Sequence, residues 1–221
     1  MNSSEFIYKF AEIPKVVDIK NDHNSQKKWI IDDLELLLLL VSNHPFGQWG
    51  LICNIMKRRY TLMSIREAAF KLIKILLDRY ESDNSTNSSE FPLLHLVIND
   101  HEQINKKNGK ENNGFDADML HEIASKNKIG RNSVRYRLLK ISLMLIVSVI
   151  MAASSNPPSD IFVASPKPIT LPAPWWSQND DKQLIYYIWQ NGYSLFACQA
   201  NIWSNKTAVR PDLLVVRFEA L

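Results

Sequence analysis

The first strong pattern of polar and apolar positions begins at Trp29. Asp32, Asp33 and Glu35 lead into the apolar run Leu36 to Val41. Acids at that end complement a helix dipole, and the leucines supply enough apolar surface for the helix to be mostly buried. Asn43-His44-Pro45-Phe46-Gly47 breaks it. Gln48 to Met56 predicts a short second helix carrying Trp49. Lys57 to Thr61 predicts a basic turn, and Ser64 the cap of a third helix running to about Tyr80. Residues 1–27 show only weak patterning.

From Glu81 to Asn113 the chain is polar, interrupted by apolar content only at Phe91 to Ile98, and reads as a linker with one short ordered piece. Asp116 to Lys126 can form a helix. Ser133 can cap a longer one that carries a basic cluster into the apolar run Ile141 to Ala153. That run holds 13 residues, whereas a membrane span needs about 20, so it reads as a buried core helix. Six prolines between Pro157 and Pro174 predict an extended connector. It leads to Trp175-Trp176 and to a helix from Asp180-Asp181 to Gln190, ended by Asn191-Gly192. Asn201 to Leu221 shows no pattern that can be assigned.

Composition narrows the classes. Six glycines in 221 residues are few, and sheets and phosphate loops both spend glycine on tight turns, so the fold class is all-α. The net charge of +3 matters less than its placement. Lys57, Arg58, Arg59, Arg66, Lys71, Lys74 and Arg79 cluster in one stretch, and Lys126, Lys128, Arg131, Arg135, Arg137 and Lys140 in another. Such clusters suit a polyanion, although on a helix face they also serve as solvated charge. Cys53 and Cys198 are far apart and imply neither a disulfide framework nor a metal site. Met1 to Glu5 lacks the form of a signal peptide, which predicts a reducing, intracellular setting. There is no Walker loop, dinucleotide fingerprint or His-Glu-x-x-His, and the five histidines have no ligand spacing. The expectation is a non-enzyme with no cofactor, metal or small-molecule substrate.

Trp29, Trp49 and Phe70 fall 20 and 21 residues apart, one in each predicted helix. A unit of about 50 residues has little core, and three large rings supply much of the area it can bury. This layout resembles a Myb/SANT repeat. So do the letters Trp29-x-x-Asp32-Asp33-x-x-Leu36-Leu37 and Gly47-Gln48-Trp49-x-x-Ile52. A partial copy follows about 145 residues later. It comprises Pro174-Trp175-Trp176, Asp180-Asp181-Lys182-x-Leu184-Ile185 and Asn191-Gly192-Tyr193. With Val134-Arg135-Tyr136-Arg137-Leu138-Leu139 between them, the order of segments from Lys28 to Gln199 resembles one particular region. This is the SANT/SLIDE-like region C-terminal to the ATPase in chromodomain-helicase-DNA-binding (CHD) chromatin remodellers of the Kismet subclass. Ala200 to Leu221 has no counterpart in it, so the second unit reads as partial.

The expected organisation is a three-helix unit at 28–80, a polar linker at 81–113 and a basic-then-apolar helical segment at 114–155. A proline-rich connector at 156–174 and a partial second unit at 175–221 follow. The resemblance implies a nuclear module that binds linker or nucleosomal double-stranded DNA without chromodomains or motor. Affinity would come from phosphate contacts with little sequence preference. A helix-turn-helix-like unit presents its last helix to DNA. The candidates are therefore Lys57, Arg58, Arg59, Arg66, Lys71 and Lys74, with Arg131, Arg135 and Lys140 as a second patch. Trp29, Trp49, Phe70, Trp175 and Trp176 are the expected core. The alternative is a SANT-type module for histone tails or remodeller subunits, met by Asp32, Asp33, Glu35, Asp180 and Asp181. Those acids also read as dipole partners of their helices.

Overall fold

The computed structural model describes residues 28–82, 90–107, 119, 122–123, 131–161, 163, 171–193, 203 and 209–220. Among them are seven helices and no strand, an all-α fold. They are α1 (Ile31–Asn43), α2 (Trp49–Ile55), α3 (Leu62–Ser82), α4 (Pro92–Lys107), α5 (Arg131–Ala153), α6 (Gln178–Asn191) and α7 (Pro211–Ala220). Two compact units result, one of residues 1–42 and 47–142 and one of 43–46 and 143–221.

In the first unit α1 buries Leu34, Leu37, Leu38 and Val41, the i, i+3, i+4, i+7 spacing of one helical face. A fully buried side chain of this size contributes about 1.5–3 kcal/mol. The three aromatics from the sequence are all core residues: Trp29, Trp49 and Phe70 are each at most 4% exposed. Trp49 and Phe70 meet at 6.0 Å between ring centroids. Trp29 instead stacks flat on Tyr60 at 3.7 Å, and its Nε1–H donates to Ser64 Oγ at 3.0 Å. Ser64 is therefore not the cap of α3. Thr61 holds that place, its Oγ1 accepting the Ser64 backbone N–H at 3.1 Å.

The linker expected over 81–113 contains a 16-residue helix, α4, with Pro92 in its first position, where proline's missing N–H costs nothing. Phe91, Leu94, Val97, Ile98 and His101 are buried. The short ordered piece read from Phe91 to Ile98 is thus the first half of a longer element.

In α5, Val134, Leu138 and Ile141 are buried in the first unit, and Met144, Val147 and Met151 join the core of the second. These residues form a buried face, while 39% of the helix's apolar window lies inside the fold. Counting only Ile141 to Ala153 understated its length. Val134–Ala153, 20 residues of mean hydropathy 1.8, is by length and composition long and apolar enough to cross a membrane. The predicted helix over 116–126 lies outside the described residues except for Met119, Glu122 and Ile123, as do Lys126, Lys128 and Cys198.

The second unit closes around Met144, Val147, Leu184, Ile188, Trp203 and Leu214. The proline-rich stretch is more than a connector, because Ile161, Val163 and Ala173 enter this core. α6 is capped by Ser177, whose backbone N–H and hydroxyl both donate to Asp180 Oδ2, at 3.0 and 2.6 Å. It ends at Gly192, as the sequence indicated. There φ is +77°, and a Cβ would come within 2.6 Å of the Asn43 carbonyl oxygen. Only glycine fits that closeness and that backbone. The unassigned C-terminal stretch contains α7, which buries Leu214, Arg217 and Phe218.

Candidate nucleic-acid interface

The basic turn lies between α2 and α3. Arg58 N–H donates to the Cys53 carbonyl oxygen and Lys57 N–H to that of Asn54, both at 2.9 Å. This six-to-one and five-to-two pairing is a Schellman ending, in which the residue after the helix turns left-handed. Lys57 and Arg58 take φ of +56° and +52°. Both side chains are exposed. Arg58 Nε–H donates to Asn54 Oδ1 at 3.2 Å. Lys57 makes no ion pair among the described residues. Arg59, also exposed, donates from Nη1 to Asp33 Oδ1 at 2.9 Å.

Asp33 is itself buried and also accepts the Tyr60 hydroxyl at 2.7 Å. Burial, the hydrogen bond to Asp33 and the Asp33 charge together push the Tyr60 hydroxyl up to about 12. The turn is thus anchored at its far end by the Trp29–Tyr60–Asp33 arrangement, while its tip projects two cations.

α3 does not present the face expected of it. Arg66 is 8% exposed, and its guanidinium carbon sits 5.7 Å from the Phe70 ring centroid. The reason is helical phase: Arg66, Phe70, Ile73 and Leu77 follow i, i+4, i+7 and i+11, so Arg66 shares the stripe that packs inward. Its guanidinium is held against Phe70 instead of being presented to solvent. Leu72, Ile73, Leu76 and Leu77 pack inward as expected.

The outward charged face of α3 lies against α4, which runs antiparallel to it. Glu67 Oε1 is 3.0 Å from His101 Nε2, and Glu67 Oε2 accepts Asn105 Nδ2–H at 3.0 Å. Lys74 pairs with Glu102, and Glu81 with His95 at 2.6 Å. His101 also stacks flat on Phe70 at 3.9 Å. Burial pushes the Glu67 carboxyl up, but the bonds from His101 and Asn105 outweigh it and hold it below its usual range. Burial also lowers Lys71. The hydrogen bond to Glu102 raises Lys74. Lys71 is half-buried, and Lys74, although exposed, pairs with Glu102 of α4 as Arg135 does with Glu90. Of the six candidates in this region, the structure keeps only the adjacent Lys57, Arg58 and Arg59 as an exposed cluster.

In the second patch, Arg135 is exposed but pairs with Glu90, which also accepts from Tyr80. Lys140 places Nζ 5.0 Å from the Tyr136 ring centroid. The Arg131 side chain lies outside the described residues.

The acids proposed to meet basic tails divide sharply. Asp32 and Glu35 are exposed, whereas Asp33, Asp180 and Asp181 are 5%, 4% and 1% exposed. Asp180 Oδ1 accepts Trp203 Nε1–H at 3.1 Å. Asp181 Oδ1 accepts Trp176 Nε1–H and Arg217 Nε–H, both at 2.7 Å. Three of the five therefore cannot contact a histone tail. The second acid of each Asp-Asp pair, Asp33 or Asp181, is buried against an arginine from later in the chain, Arg59 or Arg217. This parallel sharpens the internal likeness seen in the sequence. Trp176 is core and Trp175 packs half-buried beside it, centroids 6.1 Å apart.

The residues that sequence reading missed are Glu67, His101, Glu102, Asn105 and Arg217. The spacing of Phe91, Leu94, Ile98 and His101, with Pro92 at the start, carried the signal for α4. Pro211-Asp212 carried it for α7. Among the described residues no group of three or more His, Cys, Asp or Glu side chains is placed to hold a metal ion. No family model, curated protein or solved structure matches the chain.

Proposed function

We propose that this chain is a nuclear, non-catalytic DNA-binding module. It grips the phosphate backbone of linker or nucleosomal duplex DNA, in the manner of the CHD-type region its segment order resembles. The observation that carries the reading is the Lys57-Arg58-Arg59 turn, three exposed cations in succession on a firmly anchored connection between helices. Phosphate contacts of this kind need no base-specific geometry, so affinity follows charge and falls with salt. The burial of Arg66, the partial burial of Lys71 and the pairing of Lys74 with Glu102 move the proposed contact from the last helix to the turn before it. Exposed pairs such as Arg135–Glu90 are worth at most about 1 kcal/mol and can exchange a carboxylate for a phosphate, which makes Arg135 a secondary contact.

The test is fluorescence anisotropy of a labelled duplex of random sequence, titrated with the full chain from low to physiological salt. The expected result is binding at low salt that weakens steeply and is insensitive to sequence. Binding that stays flat across that range would sink the phosphate reading.

A further inference from the structure

We infer that Lys57 and Arg58 form a strained phosphate clip, a place where the chain forgoes fold stability to keep two cations at a helix terminus that favours glycine. The inference rests on the DNA reading above and names the contact within it. L-residues are disfavoured in the left-handed region because Cβ crowds the following carbonyl oxygen. Glycine escapes that clash and is the usual occupant after a Schellman ending. The other left-handed positions among the described residues, at φ +94° and +77°, are Gly47 and Gly192. Among the described residues only these two consecutive positions place side chains in that region, and both are long cations.

The two Schellman bonds come from backbone N–H groups that glycine would supply equally, so relative to glycine the side chains return little beyond the modest attraction of cations for a helix C-terminus. Both side chains are exposed and neither belongs to the buried core. Arg58 gains one surface hydrogen bond to Asn54, and Lys57 gains no ion pair among the described residues. Strain held with little internal return is a feature of ligand-contacting segments. The ligand chemistry follows from the groups themselves. Two adjacent cations, followed by Arg59 and fixed by a backbone with little freedom to rearrange, match neighbouring phosphates of one nucleic-acid strand. Because the turn is already bent, little ordering remains to be done on binding.

The experiment compares two double variants of the full chain, K57G/R58G and K57Q/R58Q, by thermal melting and by duplex anisotropy at several salt concentrations. Glycine removes both charge and strain; glutamine removes charge alone. The expected result is that the glycine variant melts about 2–4 °C higher per substitution than the glutamine variant. Both lose about tenfold in affinity at low salt, with a salt slope shallower by about 2. A glycine variant no more stable than the glutamine one overturns the strain element. If the wild type binds duplex and both variants match it, the clip is overturned while the DNA reading stands. If the wild type itself fails to bind at low salt, the DNA reading falls and the clip with it.

Discussion

The His101 imidazole sits 3.0 Å from the Glu67 carboxylate while its ring lies flat on Phe70. One side chain of α4 thus joins the charged face of α3 to its aromatic core. His101→Ala removes a stacked ring and leaves Glu67 half-buried with fewer partners, and should cost about 2–4 kcal/mol. Urea unfolding of the first unit reads this directly, and an unchanged midpoint would show that α4 is not an integral part of the unit. The Glu67 carboxyl is held below its usual range, so this contribution is present above that range. It is lost as pH falls through the folded value.

Lys74 separates two views of the interface. If α3 faced DNA, its loss would weaken binding. Paired with Glu102 against α4, it should be nearly silent. Lys74→Gln is expected to change stability by less than about 1 kcal/mol and to leave duplex affinity within about twofold. A tenfold loss by anisotropy would return α3 to the DNA surface.

Tyr60 predicts an alkaline limb. Its hydroxyl is pushed up to about 12 by burial and by Asp33. The unfolded chain therefore releases this proton near pH 10, before the folded one does. Its contribution is complete below about pH 10 and declines as pH rises toward about 12. Spectrophotometric titration should show a late step near pH 12 for Tyr60, with Tyr80 also raised above the ordinary range by its bond to Glu90. In Tyr60→Phe that late step should be absent and the stability of the first unit flatter above pH 10. A Tyr60 that titrates with the exposed tyrosines would contradict the buried Tyr60–Asp33 bond.

The Asp181–Arg217 pair fixes α7 to α6 by two bonds, at 2.7 and 2.5 Å, inside the second unit. Arg217→Leu strands a carboxylate that is 1% exposed and should cost about 3–5 kcal/mol. Adding Asp181→Leu should recover most of that loss, because an apolar pair no longer has to desolvate a lone charge. A double variant as unstable as the single one would mean that the Trp176 bond, not the ion pair, dominates the site.

Much of the fold was legible because helical periodicity is local. The leucines of α1, the inward stripe of α3 and the glycine end of α6 all follow from spacing and from backbone chemistry within a few residues. Even the burial of Arg66 was implicit in its phase with Phe70, Ile73 and Leu77. The charge of the residue masked that phase.

The sequence by itself determined the helical class, the core aromatics Trp29, Trp49, Phe70 and Trp176, and the basic character of the turn at Lys57 to Arg59. Tertiary structure decided which charges reach solvent. Glu67, Lys74 and Glu81 find α4 from 14 to 38 residues away, and Asp181 finds Arg217 at 36. Whether a charged side chain projects or pairs depends on the neighbour that packing brings to it. That neighbour is set by the burial of apolar faces, not by any pattern around the charge itself.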